Sequence, residues 1–319
     1  MSQDPALTDF LKAAPLFLQP WWLELVAPSA WHYAVVKRGE EITAAMPYTV
    51  KTRLGWRILE TPQFTPHLGP WLRQSTAKYA NRLSEEKELM TELIAALPPF
   101  AHFDQRFHHG ITNWLPFFWK GFQQTTLYTY RIEDTRDPEK LWGETRDNVR
   151  TDIRKARKQI EVEVTDDFEH VIRMQTMTLQ RQHLRMSFSD ERFRNFGAGC
   201  AAQGASRILV ARDAKGRVHA CVYLLVDSST LYYYTGGGDP ELRNSGATSL
   251  LVWKAIEMAA ALGLKFDFEG SVLEPVERFF RSFGAVQTPF FAISKTNSKL
   301  LSGLRGAVSA VRRRINRPA

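Results

Sequence analysis

The chain has 319 residues, of which 44% are apolar, 24% charged and 12% aromatic, enough for two ordinary domains with real cores and too apolar for a disordered chain. Two cysteines, Cys200 and Cys221, exclude a disulfide framework and a Cys-based zinc cluster. No run of about 18 apolar residues exists to span a bilayer, and the start, with Asp4 ahead of any basic residue, does not read as a signal peptide; the expectation is a cytoplasmic protein of α/β type.

Taken in chain order, a short helix over 6–12 is followed by strands over 33–37, 41–50 and 56–60. The segment 61–71, TPQFTPHLGPW, is too rich in proline for either regular ladder and reads as an ordered loop. Residues 85–96 place Leu89, Leu93, Ile94 and Leu97 at helical spacing. A strand over 101–107 alternates Phe with polar residues. An aromatic loop over 110–119 and a strand over 124–132 complete the first half, and 134–138 reads as a boundary.

The second half begins with a basic helix over 139–159 and a short strand over 161–164. Helices follow over 168–184 and 190–202. A meander comes next, with strands over 206–212, 217–226 and 230–235 and a turn at Asp213-Ala-Lys-Gly216. Gly236, Gly237 and Gly238 lead into a strongly apolar helix over 249–262. A strand over 264–268, a helix over 274–283 and a strand over 288–294 close the chain. The element order of the two halves is similar enough to suggest two copies of one mixed α/β unit, although their sequences are not visibly alike. The expected domains are 1–137, 138–294 and a basic tail over 295–319.

The formal net charge of +8 is unevenly distributed. Seven of the 42 basic residues lie in 295–319, which holds no acid; the preceding chain keeps 35 basic against 34 acidic residues. Leu300, Leu301, Leu304, Val308 and Val311 recur there at helical spacing, the pattern of a basic amphipathic helix that can lie on an anionic membrane surface, here the inner membrane face, or meet nucleic acid. The plainer reading is a solvated end. A second concentration places Arg146, Arg150, Arg154 and Lys158 four residues apart on one helix face. A phosphate-bearing ligand would relieve their repulsion, and Arg150 and Arg154 are candidate substrate contacts; neighbouring Glu144, Asp147 and Asp152 offer an ordinary alternative.

The stretch Tyr232-Tyr-Tyr-Thr-Gly-Gly-Gly-Asp-Pro-Glu-Leu-Arg243-Asn-Ser-Gly246-Ala-Thr248 carries the chemistry. A strand ends, a glycine-rich loop follows, and a helix opens. Unsatisfied amides and a positive dipole at a helix start suit phosphate. Gly236, Gly237, Gly238, Arg243, Asn244, Ser245, Gly246, Ala247 and Thr248 are therefore candidate cofactor contacts, against the alternative of an ordinary helix start. Walker A, G-x-G-x-x-G, nucleophile-elbow and HExxH patterns are absent. The adjacent His108 and His109 have poor metal-ligand spacing, and no metal is expected.

The sequence from Arg243 to Thr248 resembles the pyrophosphate loop R/Q-x-x-G-x-G/A of the GNAT acyltransferases, with Thr248 at the last small position. The wider pattern over about 145–294 looks like the FemABX-type branch: the helix SLLVWKAIEMAAALG, the strand FDFEGS, then ERFFRSFGA, with NVRTDIRKARK opening the second half. The resemblance implies two tandem GNAT-like domains. It also implies transfer of an acyl group from acetyl-CoA or another acyl-CoA, or of an aminoacyl group from tRNA, to an amine of a cell-envelope or sugar precursor. A non-catalytic binding protein on the same fold is the alternative of a different class. DNA is not an expected partner, because the body is nearly neutral and lacks a recognisable helix-turn-helix.

Asp267 and Glu269, two apart on a predicted strand, are candidates for proton handling on one face, with a strand-end salt bridge to Arg278 or Arg281 as the alternative. Tyr232 and Tyr234 are candidates for protonating a leaving thiolate, or else sheet packing. Trp114, Trp119 and His67, in aromatic loops, are candidates for the acceptor side.

Overall fold

The computed structural model describes residues 4–181, 185–298 and 300. In chain order its elements are α1 (Pro5–Leu11), α2 (Pro20–Val26), β1 (Trp31–Arg38), β2 (Glu41–Arg53), β3 (Trp56–Glu60), β4 (Trp71–Leu72), α3 (Tyr79–Ala95), β5 (His102–Arg106), α4 (Leu115–Trp119), β6 (Gln123–Ile132), α5 (Pro138–Glu144), α6 (Asp147–Ala156), β7 (Ile160–Thr165), α7 (Glu169–Arg181), α8 (Asp190–Ala202), β8 (Ser206–Asp213), β9 (Val218–Val226), β10 (Thr230–Gly238), α9 (Ala247–Leu262), β11 (Lys265–Asp267), α10 (Glu274–Arg281) and β12 (Val286–Thr296). The architecture is mixed α/β, as expected. The chain divides into two units: one runs to Leu127 and resumes from Pro289, the other is Tyr128–Thr288. The division falls inside β6 rather than at the 134–138 turn, and it assigns the end of β12 to the first unit.

In the first unit β1, β2 and β3 form an antiparallel series, β3 pairs β5 in parallel, and β5 pairs β12 antiparallel. Leu59, Phe103 and Ile293 from this sheet meet Met90 and Leu93 of α3, with Phe107, Phe117 and Phe122 closing the cluster. The alternating Phe pattern of β5 is thus a half-buried strand, as its period of two requires. The proline-rich 61–71 segment is ordered: the Trp22 indole donates to Thr65 Oγ1 at 2.9 Å and the Leu68 amide to Arg106 O at 2.7 Å. Sequence reading did not anticipate α2 or the short α4 inside the aromatic loop. Both carry a proline in their first turn, where its missing N–H costs nothing.

In the second unit β6–β11–β10–β9–β8–β7 form the sheet, antiparallel throughout except for the β11–β10 pair. Strand β9 is buried on both faces, so it reads as a continuous apolar run. Ala220, Val222 and Leu224 join the core that includes Leu250, Leu251 and Ile256 of α9. Tyr223 instead packs edge-on to Phe168, 5.1 Å between ring centres. Gly263, at φ +68, stops α9 by taking the left-handed C-cap conformation.

Two expectations are corrected here. The basic stretch 139–159 is two helices, because Thr145 and Arg146 are extended and the Arg146 amide donates to Ser282 O at 2.9 Å instead of continuing a helix. Gly236, Gly237 and Gly238 are the last residues of β10, not a loop after it. Helix α7 lies so close to β10 that a Cβ on Gly237 would stand 2.4 Å from Met174 O and 2.7 Å from Thr178 Oγ1. Gly237→Ala should therefore lower stability by roughly 1–3 kcal/mol, the cost of forcing atoms into a packed interface. An unchanged urea midpoint would show that α7 does not press on β10 in this way.

Candidate functional site

The site is built on the way β10 loses its partners. Towards β9, Tyr233 pairs with Leu224 but Thr235 pairs with Tyr223, so Tyr234 is the extra residue of a bulge. Towards β11, the parallel ladder runs from Thr230↔Lys265 to Tyr232↔Asp267 and stops. There the chain turns towards β6: the Phe268 amide donates to Tyr130 O at 2.9 Å, and Glu269 and Gly270 take positive φ, +57° and +66°. A Cβ on Gly270 would stand 2.1 Å from Tyr128 O, so only glycine permits the turn. The far half of β10 is left bordering a cleft of about 470 Å³, lined by Tyr233, Tyr234, Thr235 and the three glycines together with Thr178, Arg181, His219, Arg243, Ala247, Thr248 and Phe279.

Helix α9 begins at this cleft without a capping side chain. Its N-cap is Gly246, at φ +79, and the Ser245 hydroxyl accepts only the Ala247 amide, at 3.3 Å. The first helical turn therefore presents amides and the positive end of a 16-residue dipole beside Thr248. Arg243 is exposed at the cleft and makes no ion pair among the described residues.

The glycines have a second explanation. A Cβ on Gly236 would meet Tyr233 Oη at 2.2 Å, and one on Gly246 would meet Asp152 O of α6 at 2.4 Å. Gly246 thus serves the close approach of α6, and that side of the residue is protein rather than open to a ligand. Asn244 points its carbonyl at Lys155 Nζ, 2.6 Å away. Of the nine predicted cofactor contacts, Asn244 and Gly246 alone do not line the cleft.

The proposed proton-handling residues separate. Asp267 is 2% exposed. Thr129 Oγ1 donates to its Oδ1 at 2.5 Å, the Glu269 amide donates to the same oxygen at 2.8 Å, and Arg131 Nε lies 3.0 Å from Oδ2. Burial pushes this carboxyl up, opposed by Thr129 and Arg131. Its partner is Arg131, whereas Arg278 and Arg281 pair with Glu274 and Glu277 on their own helix. Glu269 does not share a strand face with Asp267, because β11 ends at Asp267 and the positive φ of Glu269 breaks the alternation. Tyr232 is buried and its hydroxyl donates to Asp227 Oδ2 at 2.8 Å. Tyr234 lines the cleft. Burial, then Cys200, then the charge of Glu269 raise its phenol well above the usual value, so it stays protonated at neutral pH.

The remaining candidates lie elsewhere. Arg150 pairs with Asp147 and donates to Trp142 O at 3.3 Å, and Arg154 and Arg157 each stand 5.5 Å from the Trp142 ring. Within the basic stripe, Arg150 is thus paired and Arg154 lies against a ring. His67 is 7% exposed, packed on Phe17 and His108 at 4.7 and 4.8 Å. Trp114 packs on Phe118 at 5.5 Å, and Trp119 is exposed. Sequence reading missed His219. Its Nε2 is 3.1 Å from Asp213 Oδ2, its Nδ1 has no partner among the described residues, and it lines the cleft. The turn at Asp213 was legible, and pairing the strands across it would have placed the two together. Among the described residues no group of three or more His, Cys, Asp or Glu is placed to hold a metal, and no helix is long and apolar enough to cross a membrane.

A β-sheet with one bulged, half-abandoned strand beside an uncapped helix start accords with a GNAT-like fold, the fold of the similar solved structures. Residues 143–281, somewhat under half of the chain, match the acetyltransferase (GNAT) domain family. FemX is similar over 91% of this chain and 96% of its own, at 14% identity and a TM-score of 0.66. The C-terminal domain of a putative lysylphosphatidylglycerol synthetase from Agrobacterium fabrum follows at 13% identity and TM-score 0.55, covering 95% and 94%. A tandem GNAT protein from the clavulanic acid biosynthesis pathway is similar at 10% identity and TM-score 0.52, covering 92% and 94%. No curated protein matches the chain.

Two outcomes are expected. Asp267→Asn should cost about 3 kcal/mol in chemical denaturation, the low end for opening a buried pair, because Glu133 still holds Arg131; an unchanged stability would return Asp267 to the acid–base candidates. Burial alone would raise the Asp213 carboxyl, but the Arg217 amide and guanidinium and His219 outweigh it and hold it well below its ordinary 3.8. That stabilisation is present above about pH 4 and is lost as pH falls through the lowered folded value. Asp213→Asn should therefore reduce the melting temperature at neutral pH and flatten its decline in acid; parallel pH profiles for the two proteins would refute this.

Proposed function

We propose that the chain transfers an acyl group from an acyl-CoA to an amine, with the donor bound in the second unit. The observation that carries this reading is the cleft beside β10, where an abandoned strand edge runs up to the uncapped start of α9. A pantetheine arm carries amides that can pair with that edge, and a pyrophosphate matches the helix amides, Arg243 and Arg181. The small residues Gly238, Ala247 and Thr248 leave room for it. The first unit is read as a second GNAT-like domain, and the acceptor as an amine of an envelope or sugar precursor.

The reaction needs no covalent intermediate. The amine attacks the thioester carbonyl, a C–N bond forms, the C–S bond breaks, and the thiolate takes a proton while the new ammonium loses one. Holding both reactants in place supplies most of the acceleration. Tyr234, kept as a phenol, is the proton donor to the departing sulfur or to the developing oxyanion. Glu269, close enough for its charge to raise that phenol, is the candidate base. Aminoacyl-tRNA is the alternative donor. It finds less support here, because Arg150 and Arg154 on the basic face of α6 already meet Asp147 and Trp142.

Calorimetric titration with acetyl-CoA and longer acyl-CoAs tests the donor. Arg243→Ala should weaken binding about ten- to a hundredfold, the value of a charge-assisted contact. Tyr234→Phe should lower kcat with little change in donor affinity. Absence of binding by every acyl-CoA, or an Arg243→Ala protein that binds as tightly as the parent, would reject the assignment.

A further inference from the structure

We infer that the outer face of α4 is a docking surface for an anionic lipid bilayer. This five-residue helix turns Phe117 fully into the core, against Phe107 and Phe122 at 4.9 and 5.2 Å. Its other large side chains face outward: Leu115, Phe118 and Trp119 are 40%, 57% and 59% exposed. Core packing accounts for Phe117, and Phe118 meets Trp114 edge-on at 5.5 Å, but more than half of the Phe118 and Trp119 surface stays in solvent. Asn113 holds the helix start, its Oδ1 accepting the Leu115 amide at 3.2 Å, so the patch is fixed in place.

Its rim is cationic. Lys87 Nζ stands 5.7 Å from the Trp119 ring centre, Lys120 follows Trp119 directly, and Lys295 Nζ donates to Lys120 O at 2.6 Å. None of the three pairs with a carboxylate among the described residues. Of the acids around Lys87, Glu88 and Glu92 are engaged by Arg38 and Glu86 by Arg82, while Glu85 makes no ion pair with Lys87. An indole and a phenyl ring ringed by lysines is the composition that partitions into the headgroup layer of a bilayer carrying negative charge.

The remaining chain leaves from the same place. Strand β12 ends at Thr296, one residue past Lys295. The sequence beyond it adds Lys299, Arg305, Arg312, Arg313, Arg314 and Arg317 with no acid. Stable attachment to a membrane takes two signals; the apolar wedge is one, and the basic sequence after Ser298 has the composition of the other. The expected amphipathic helix over 300–311 lies outside the described residues except for Leu300. Because β12 runs to Thr296, the informative truncation is after Ser298 and not after Ser294, which would remove two residues paired to β5.

Flotation of the full chain with phosphatidylglycerol/phosphatidylcholine vesicles, against pure phosphatidylcholine, tests the inference. The expected result is salt-sensitive binding to the anionic vesicles only. The Phe118→Ala, Trp119→Ala double variant should weaken it by about tenfold or more, and Lys87→Glu with Lys120→Glu should do so too, with unfolding midpoints near the parent's. Failure of the parent to bind anionic vesicles overturns the proposal. Undiminished binding by the double variant would assign membrane contact to residues after Ser298 alone and overturn it equally. So would a parent that is a dimer in solution and a monomer as the double variant, which would make the face a contact between copies. None of these readouts depends on the donor, so their failure is distinguishable from failure of the acyl-CoA assignment.

Discussion

Strand β10 is the constraint on which the second unit turns. It pairs with β11 over three residues and with β9 over nearly its whole length, so one of its edges is satisfied and the other is abandoned halfway. A strand edge in a protein interior leaves unpaired amides and carbonyls, which are costly unless something meets them. The divergence is enforced from both sides: a bulge at Tyr234, and a turn at Glu269 and Gly270 that the backbone of β6 allows only to glycine. The cleft, the exposed helix start and the position of Tyr234 all follow from that separation.

Charge in the second unit is used in two ways. The buried Asp267–Arg131 pair sits where β11 meets β6, fully desolvated and supplied with further partners in Thr129 and the Glu269 amide, and it anchors the turn that opens the cleft. Such a pair adds little net stability over an apolar substitute, but it makes a wrong register of β11 expensive. The charges at the cleft differ in kind. Arg243 and the start of α9 are positive and lack a charged partner among the described residues, so an anion there gains without an existing pair being broken. Tyr234 stays neutral because burial penalises its phenolate.

The first unit shows a comparable division of labour in apolar side chains. Along α4, adjacent residues of the same chemical type take opposite roles: Phe117 completes a phenylalanine cluster with edge-on contacts, while Phe118 and Trp119 remain in solvent. Aromatic content alone does not separate the two, since a helix of one and a half turns has no extended periodicity to read.

Much of the second unit was legible in the sequence because its signals are local. The apolar run of β9, the turn at Asp213, the helix ending at Gly263 and the pattern from Arg243 to Thr248 all depend on residues close together in the chain, and the net charge places its excess after residue 294. What only the tertiary structure decided depends on distant neighbours. Asp267 finds Arg131, which lies far away in sequence. Gly237 and Gly246 are glycine because α7 and α6 press on them. A helix over 139–159 breaks because Arg146 bonds to Ser282. His219 reaches the cleft only when β9 lies beside β10. Composition and periodicity report what a residue prefers; which partner meets it is settled by the packing of elements that the sequence keeps apart.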